Sequence, residues 1–304
     1  MSITRRTVIF FTLACLVGIL TGILFQKFYG IGRIINAFIN DRNIRNVNHN
    51  PAVSVTANHI EVPFDVLNSK RRVMVALVFG QSNSANFGET PKASNPNVYN
   101  YYKGKLYRAQ DPLLGADGDG GSVWTRLGDK LIAHQKYEAV IFIPLGIGAT
   151  EIARWQSKGD LHQSILNVID ALNRQGLSIT HMLWHQGESD AVLKTSKVAY
   201  KSMFLDMLSS IREHDVKAPI YVSIATRCEK LRGSIEIQEA QAELVDISAG
   251  ILPGPNTDNL GFSYRYDGCH FSDEGLEQEA EMWLSSLEKI RPVVLREQLI
   301  YSTL

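Results

Sequence analysis

A chain of 304 residues with 45% apolar side chains has the length and content for one large α/β domain plus an appendage; two compact domains would be tight. Lysine plus arginine equals aspartate plus glutamate at 31 each, and no basic stripe breaks the balance, so charge excludes nucleic acid as a partner. Three cysteines, one inside the apolar N-terminus, are too few for a disulfide scaffold or a four-ligand zinc site.

From Thr7 to Gln26 no residue is charged, and as a helix this run spans about 30 Å, the thickness of a bilayer core. Arg5 and Arg6 precede it, so residues 1–27 read as a membrane anchor that keeps its N-terminus cytoplasmic and the rest of the chain outside. Lys27, Arg33 and Arg42 on the far side dilute that asymmetry. A cleaved signal peptide is the competing reading, but the run is long and no small-x-small site follows. Thr12-Leu13-Ala14-Cys15 resembles a lipoprotein box except that Thr12 stands where an aliphatic residue is expected. Residues 28–70, rich in asparagine, read as a stalk, of which part of Val53 to Leu67 could pack along the domain as a strap.

From residue 71 to 292 the pattern is that of one catalytic domain, with 293–304 as a tail. Continuous apolar runs at Val73–Phe79, Ala139–Leu145, His181–Trp184 and Ile220–Ala225 suit strands buried on both faces of a parallel sheet. Helical periods lie between and after them, near 123–134, 161–174, 194–214, 235–248 and 273–290. The alternation predicts an α/β sandwich whose site forms beyond the carboxyl ends of the strands.

Polar clusters stand at those positions. Gly80-Gln81-Ser82-Asn83 follows the first strand, where a serine on a glycine turn can expose its hydroxyl. Pro144-Leu145-Gly146-Ile147-Gly148-Ala149-Thr150 offers backbone N–H groups for close approach to a ligand. Trp184-His185-Gln186-Gly187-Glu188-Ser189-Asp190 brings a side-chain amide that can donate to an oxyanion. Asp267-Gly268-Cys269-His270 has the spacing for a carboxylate to hold an imidazole by its Nδ1, and Ser272 or Asp273 would cap the last helix. Each cluster alone is ordinary turn or packing chemistry. In this order they supply nucleophile, oxyanion donors, orienting acid and base, the parts of an acyl-transfer site. G-x-S-x-G, G-x-G-x-x-G and a P-loop are all absent.

The blocks GQSN at 80–83, PLGIGATEIARW at 144–155, WHQGE at 184–188 and DGCH at 267–270 resemble those of the SGNH hydrolases, within them the sialate O-acetylesterase domain shared with carbohydrate esterase family six. The resemblance covers roughly residues 72 to 290 and implies a three-layer α/β/α sandwich of flavodoxin-like kind with a parallel sheet. It implies Ser82 as nucleophile, His270 as base, Asp267 as orienting acid, and an oxyanion hole of the Ser82 and Gly148 N–H groups with the Gln186 side chain. Gln81, Asn83 and Glu188 would support these from behind, and no metal or organic cofactor is implied. The family's second glycine is Ala149 here, which leaves open the N–H that serves the oxyanion. The implied substrate is an O-acetylated carbohydrate; a lipase or thioesterase of the same fold and a silent glycan-binding module are the rivals.

Other residues have bland readings. The glycine loop 114–122 lacks calcium-ligand spacing and reads as a rim. Trp124, Trp155, Tyr264 and Tyr266 suit packing or sugar faces, and Arg154, Arg227 and Arg265 suit ion pairs or an acidic sugar. In an exported domain Cys228 and Cys269 could form a disulfide, with two free thiols as the alternative.

Overall fold

The computed structural model describes residues 53–228 and 233–289. The anchor, residues 28–52 of the stalk and the tail lie outside the described residues. Among the described residues no helix is long and apolar enough to cross a membrane.

Eight strands form one sheet: β1 (Glu61–Val62), β2 (Val73–Gly80), β3 (Val98–Tyr102), β4 (Lys105–Arg108), β5 (Ala139–Gly146), β6 (His181–His185), β7 (Ile220–Ile224) and β8 (Ile251–Asn256). Their order is β1-β4-β3-β5-β2-β6-β7-β8. The helices are α1 (Val123–Ala133), α2 (His162–Asn173), α3 (Glu188–Leu193), α4 (Lys197–Glu213), α5 (Ile235–Glu243) and α6 (Asp273–Lys289).

The expectation of a parallel sheet needs correction: the sheet is mixed. Strands β3, β5, β2, β6, β7 and β8 run parallel, but β3 and β4 form a hairpin and β1 pairs antiparallel with β4. That pairing also draws the described end of the stalk into the domain. Val53 is buried with Tyr107 and Leu114, so residues 53–70 are a strap on the sheet edge.

Strand β2 shows why the sheet takes two helical layers. Val75, Leu77 and Phe79 face a core with α2, α4 and α5; Met74, Ala76 and Val78 face a second core with α1 and α6. Every residue of β2 after Val73 is buried, which a strand covered on both faces requires. Pro144 is tolerated inside β5 because the β3–β5 ladder has ended by then. Val140 donates toward β3, at Asn97 O, so the same-parity Pro144 lacks its N–H on a side where β3 no longer pairs.

With β5 on one side of β2 and β6 on the other, the sheet's switch point lies at the carboxyl end of β2. Ser82 is there.

Candidate active site

Gly80 ends β2 at φ +131°, and a Cβ there would stand 2.1 Å from His185 O, so only glycine lets the chain turn against β6. Residues Ser82–Ser84 then form one 3-10 turn, closed by Ser84 N–H to Gln81 O (2.8 Å) and Ala85 N–H to Ser82 O (2.9 Å). Side chains around Ser82 lock this turn to the neighbouring loops. Gln81 Oε1 accepts from the N–H groups of Gly187 (3.3 Å) and Ser189 (3.1 Å). Asn83 Nδ2 donates to Glu188 Oε1 at 2.7 Å and to Cys269 O at 3.5 Å.

The acid and base sit on the loop before α6, whose first turn Ser272 caps by accepting from Gly275 N–H. Asp267 Oδ1 accepts the N–H groups of Cys269 (2.8 Å) and His270 (2.7 Å), and Oδ2 lies 2.6 Å from His270 Nδ1. Burial raises the Asp267 carboxyl, but the N–H and ring of His270 and the N–H of Cys269 outweigh it and hold it below the usual aspartate range. No hydrogen bond joins the Ser82 hydroxyl to His270 among the described residues; the Asn83 contact to Cys269 O brings the two loops together one residue from each. Cys228 and Cys269 form a disulfide, which ties the acid–base loop to the end of β7.

Two oxyanion expectations look different in the structure. Gln186 is fully buried, and its amide hydrogens go to Asp190 Oδ2 (2.6 Å) and Thr150 O (3.0 Å), while its carbonyl accepts from Tyr200. These bonds brace β6 against the 147–150 turn. The Gly148 N–H donates to Asp117 Oδ2 at 3.1 Å, and the Ala149 N–H has no hydrogen-bond partner among the described residues. Ala149 takes φ +54°, the left-handed backbone that favours glycine.

Behind the loops lies a buried ionic group that the sequence did not reveal. His185 Nδ1 is 2.9 Å from Glu279 Oε1, outside hydrogen-bond angles, and its Nε2 is 3.9 Å from Glu188. Burial pushes His185 down, yet Glu279 and Glu188 hold it above its ordinary value; burial pushes Glu188 up. Arg265 stacks on Phe271 at 4.2 Å and donates to the carbonyls of Cys269 and Thr257. Glu279 carried no signal because it reads as one more acidic residue of α6, alongside Glu277 and Glu281.

The weaker candidates resolve simply. Trp124 and Trp155 are fully buried packing, and Arg154 is buried against Asp160. Arg227 lies over the Phe262 ring, whereas Tyr266 is 51% exposed beside His270. The glycine loop does line the site, through Asp117.

Similar folds occur among solved structures. A protein from Arabidopsis thaliana matches at 17% identity and TM-score 0.58, covering 71% of this chain and 99% of its own. A carbohydrate acetylesterase from Xanthomonas citri matches at 17% identity and TM-score 0.45, covering 70% and 55%. The first shows the fold alone, and nothing is drawn from the second. No curated protein matches the sequence. The family model for carbohydrate esterases described as sialic acid-specific acetylesterases matches residues 72–287, and with most of its length inside that match the chain belongs to this family.

Proposed function

We propose that the protein is a membrane-tethered serine esterase that removes O-acetyl groups from a carbohydrate, with Ser82 as nucleophile, His270 as base and Asp267 as orienting acid. The observation that carries this reading is the 2.6 Å contact of Asp267 with His270 Nδ1, on a loop fastened to the Ser82 turn through Asn83. A carboxylate on Nδ1 keeps the proton there and leaves Nε2 as the base.

His270 Nε2 takes the Ser82 proton as Oγ bonds to the acetyl carbon, and the carbonyl oxygen becomes an oxyanion. The Ser82 N–H and the 148–149 turn meet that charge. The Ala149 N–H is ready to do so, while the Gly148 N–H serves once Asp117 lets it go. The bond from carbon to sugar oxygen then breaks, and the sugar leaves with the proton from His270. Water, deprotonated by the same ring, attacks the acetyl-Ser82 ester and releases acetate. Losing one oxyanion donor costs about 100- to 1000-fold in such reactions.

The disulfide supports the extracytoplasmic placement, since such bonds persist in oxidising compartments. Ser82→Ala should abolish p-nitrophenyl acetate hydrolysis, and an impermeant fluorophosphonate should label the wild-type protein on intact cells at Ser82. Full activity in Ser82→Ala would overturn the assignment.

A further inference from the structure

Phe87 follows Ser82 by one turn, and its ring occupies a slot left by three other segments. One face stacks on the His270 imidazole, with centroids 5.1 Å apart and planes at 23°. Its tip meets the turn after β5, where a Cβ built on Gly148 would stand 3.1 Å from Phe87 Cζ. Its flank meets the glycine loop, where a Cβ on Gly118, itself at φ +86°, would stand 3.0 Å from Phe87 Cδ2. Both neighbours are glycines, so the ring reaches main chain on each side.

The backbone beneath the ring is pinned. Phe87 O accepts from the Tyr266 hydroxyl at 3.2 Å, and Gly88 exchanges hydrogen bonds of 2.8 and 2.7 Å with Gly121. The ring is therefore a fixed wall between the base and the 148–149 turn.

On the reading proposed above, the tetrahedral carbon on Ser82 lies between those two groups. Its oxyanion points to the turn and its leaving oxygen to His270. Tyr266, half exposed at 6.4 Å from the imidazole, borders the opening to solvent through which a sugar departs. The acyl substituent is left facing the Phe87 ring. We propose that Phe87 closes the acyl pocket and restricts the enzyme to acetyl esters, a specificity-determining residue that acts by its volume.

The test is kcat/KM on p-nitrophenyl acetate, butyrate and hexanoate for wild type, Phe87→Ala and Phe87→Leu, with Ser82→Ala as the blank. A pocket that rejects extra methylenes discriminates by about tenfold or more. Wild type should therefore fall at least about tenfold from acetate to butyrate, and Phe87→Ala should raise the butyrate-to-acetate ratio about tenfold, with Phe87→Leu between. If Phe87→Ala does not fold, the same ratio in Phe87→Leu decides. An unchanged ratio in a folded variant overturns the proposal. So does an equal loss at every chain length, which would make the ring only a support for His270, or a wild type that takes hexanoate as readily as acetate. A flat chain-length response with normal dependence on Ser82 strikes this proposal and leaves the serine nucleophile standing; residual turnover in Ser82→Ala strikes the nucleophile, and this proposal with it.

Discussion

Removing the Cys228–Cys269 bond with a Cys228→Ala/Cys269→Ala double variant should cost both stability and turnover. The two cysteines are 41 residues apart. Closing a loop of that length in the unfolded chain removes entropy equivalent to about 4 kcal/mol at 25 °C. With a urea m-value of about 2.5 kcal/mol/M, the unfolding midpoint should fall by about 1.5 M. A thermal melt should fall by about 10 °C for a domain of this size. Turnover should fall too, because Cys269 is buried amid the machinery: its N–H donates to Asp267 and its carbonyl accepts from Asn83 and Arg265. Urea denaturation followed by tryptophan fluorescence, beside p-nitrophenyl acetate kinetics on the same preparation, reads both quantities. A loss below about 1 kcal/mol would refute the loop-closure argument, and unchanged kcat would refute the claim that the bond braces the acid and base.

Two other perturbations test separate parts of the molecule. Ala149→Gly should stabilise by about 0.5–1 kcal/mol, because an L-residue in left-handed backbone costs about 1–2 kcal/mol and glycine's greater unfolded freedom returns about half of it; a lowered melting temperature would contradict this. Burial pushes the His181 ring down to about 4, so the unfolded ring binds a proton near pH 6.5 while the folded one does not. The stability this neutral ring contributes is whole above pH 6.5 and lost as pH falls to about 4, about 3 kcal/mol in all. In urea titrations at pH 7 and 4.5, His181→Gln should lose less than wild type between the two; equal losses would count against it.

The centre of the sheet was legible because β2, β5, β6 and β7 are apolar on both faces, which leaves an unbroken run of hydrophobic letters. Its margins were not. Strand β3, with Asn100 and tyrosines, and β4, with Lys105 and Arg108, mix polar and apolar letters as exposed hairpins do, while Pro253 and Pro255 hide β8. Helix α3 went unread, because Glu188 to Asp190 belong to the polar cluster after β6 and Lys194, in left-handed backbone, ends the helix without a glycine. In the site, the acid–base loop could be read from spacing, since Asp267 and His270 are neighbours on one turn. Gln186 could not, because its partners Asp190 and Thr150 depend on how α3 and the 147–150 turn meet in space. Phe87 carried no signal at all: an aromatic after a serine turn is informative only once Gly118, Gly148 and His270 surround it.

The strands at the two ends of the sheet have a consequence for the protein at high local concentration. At one end β1 is only two residues long; at the other, β8 replaces two amide donors with proline rings. Neither border presents a continuous row of free N–H and C=O groups on which another chain could align. The interior strands, apolar enough to template fibrils if uncovered, are thus guarded by their outermost neighbours, and high local density need not end in strand-to-strand aggregation.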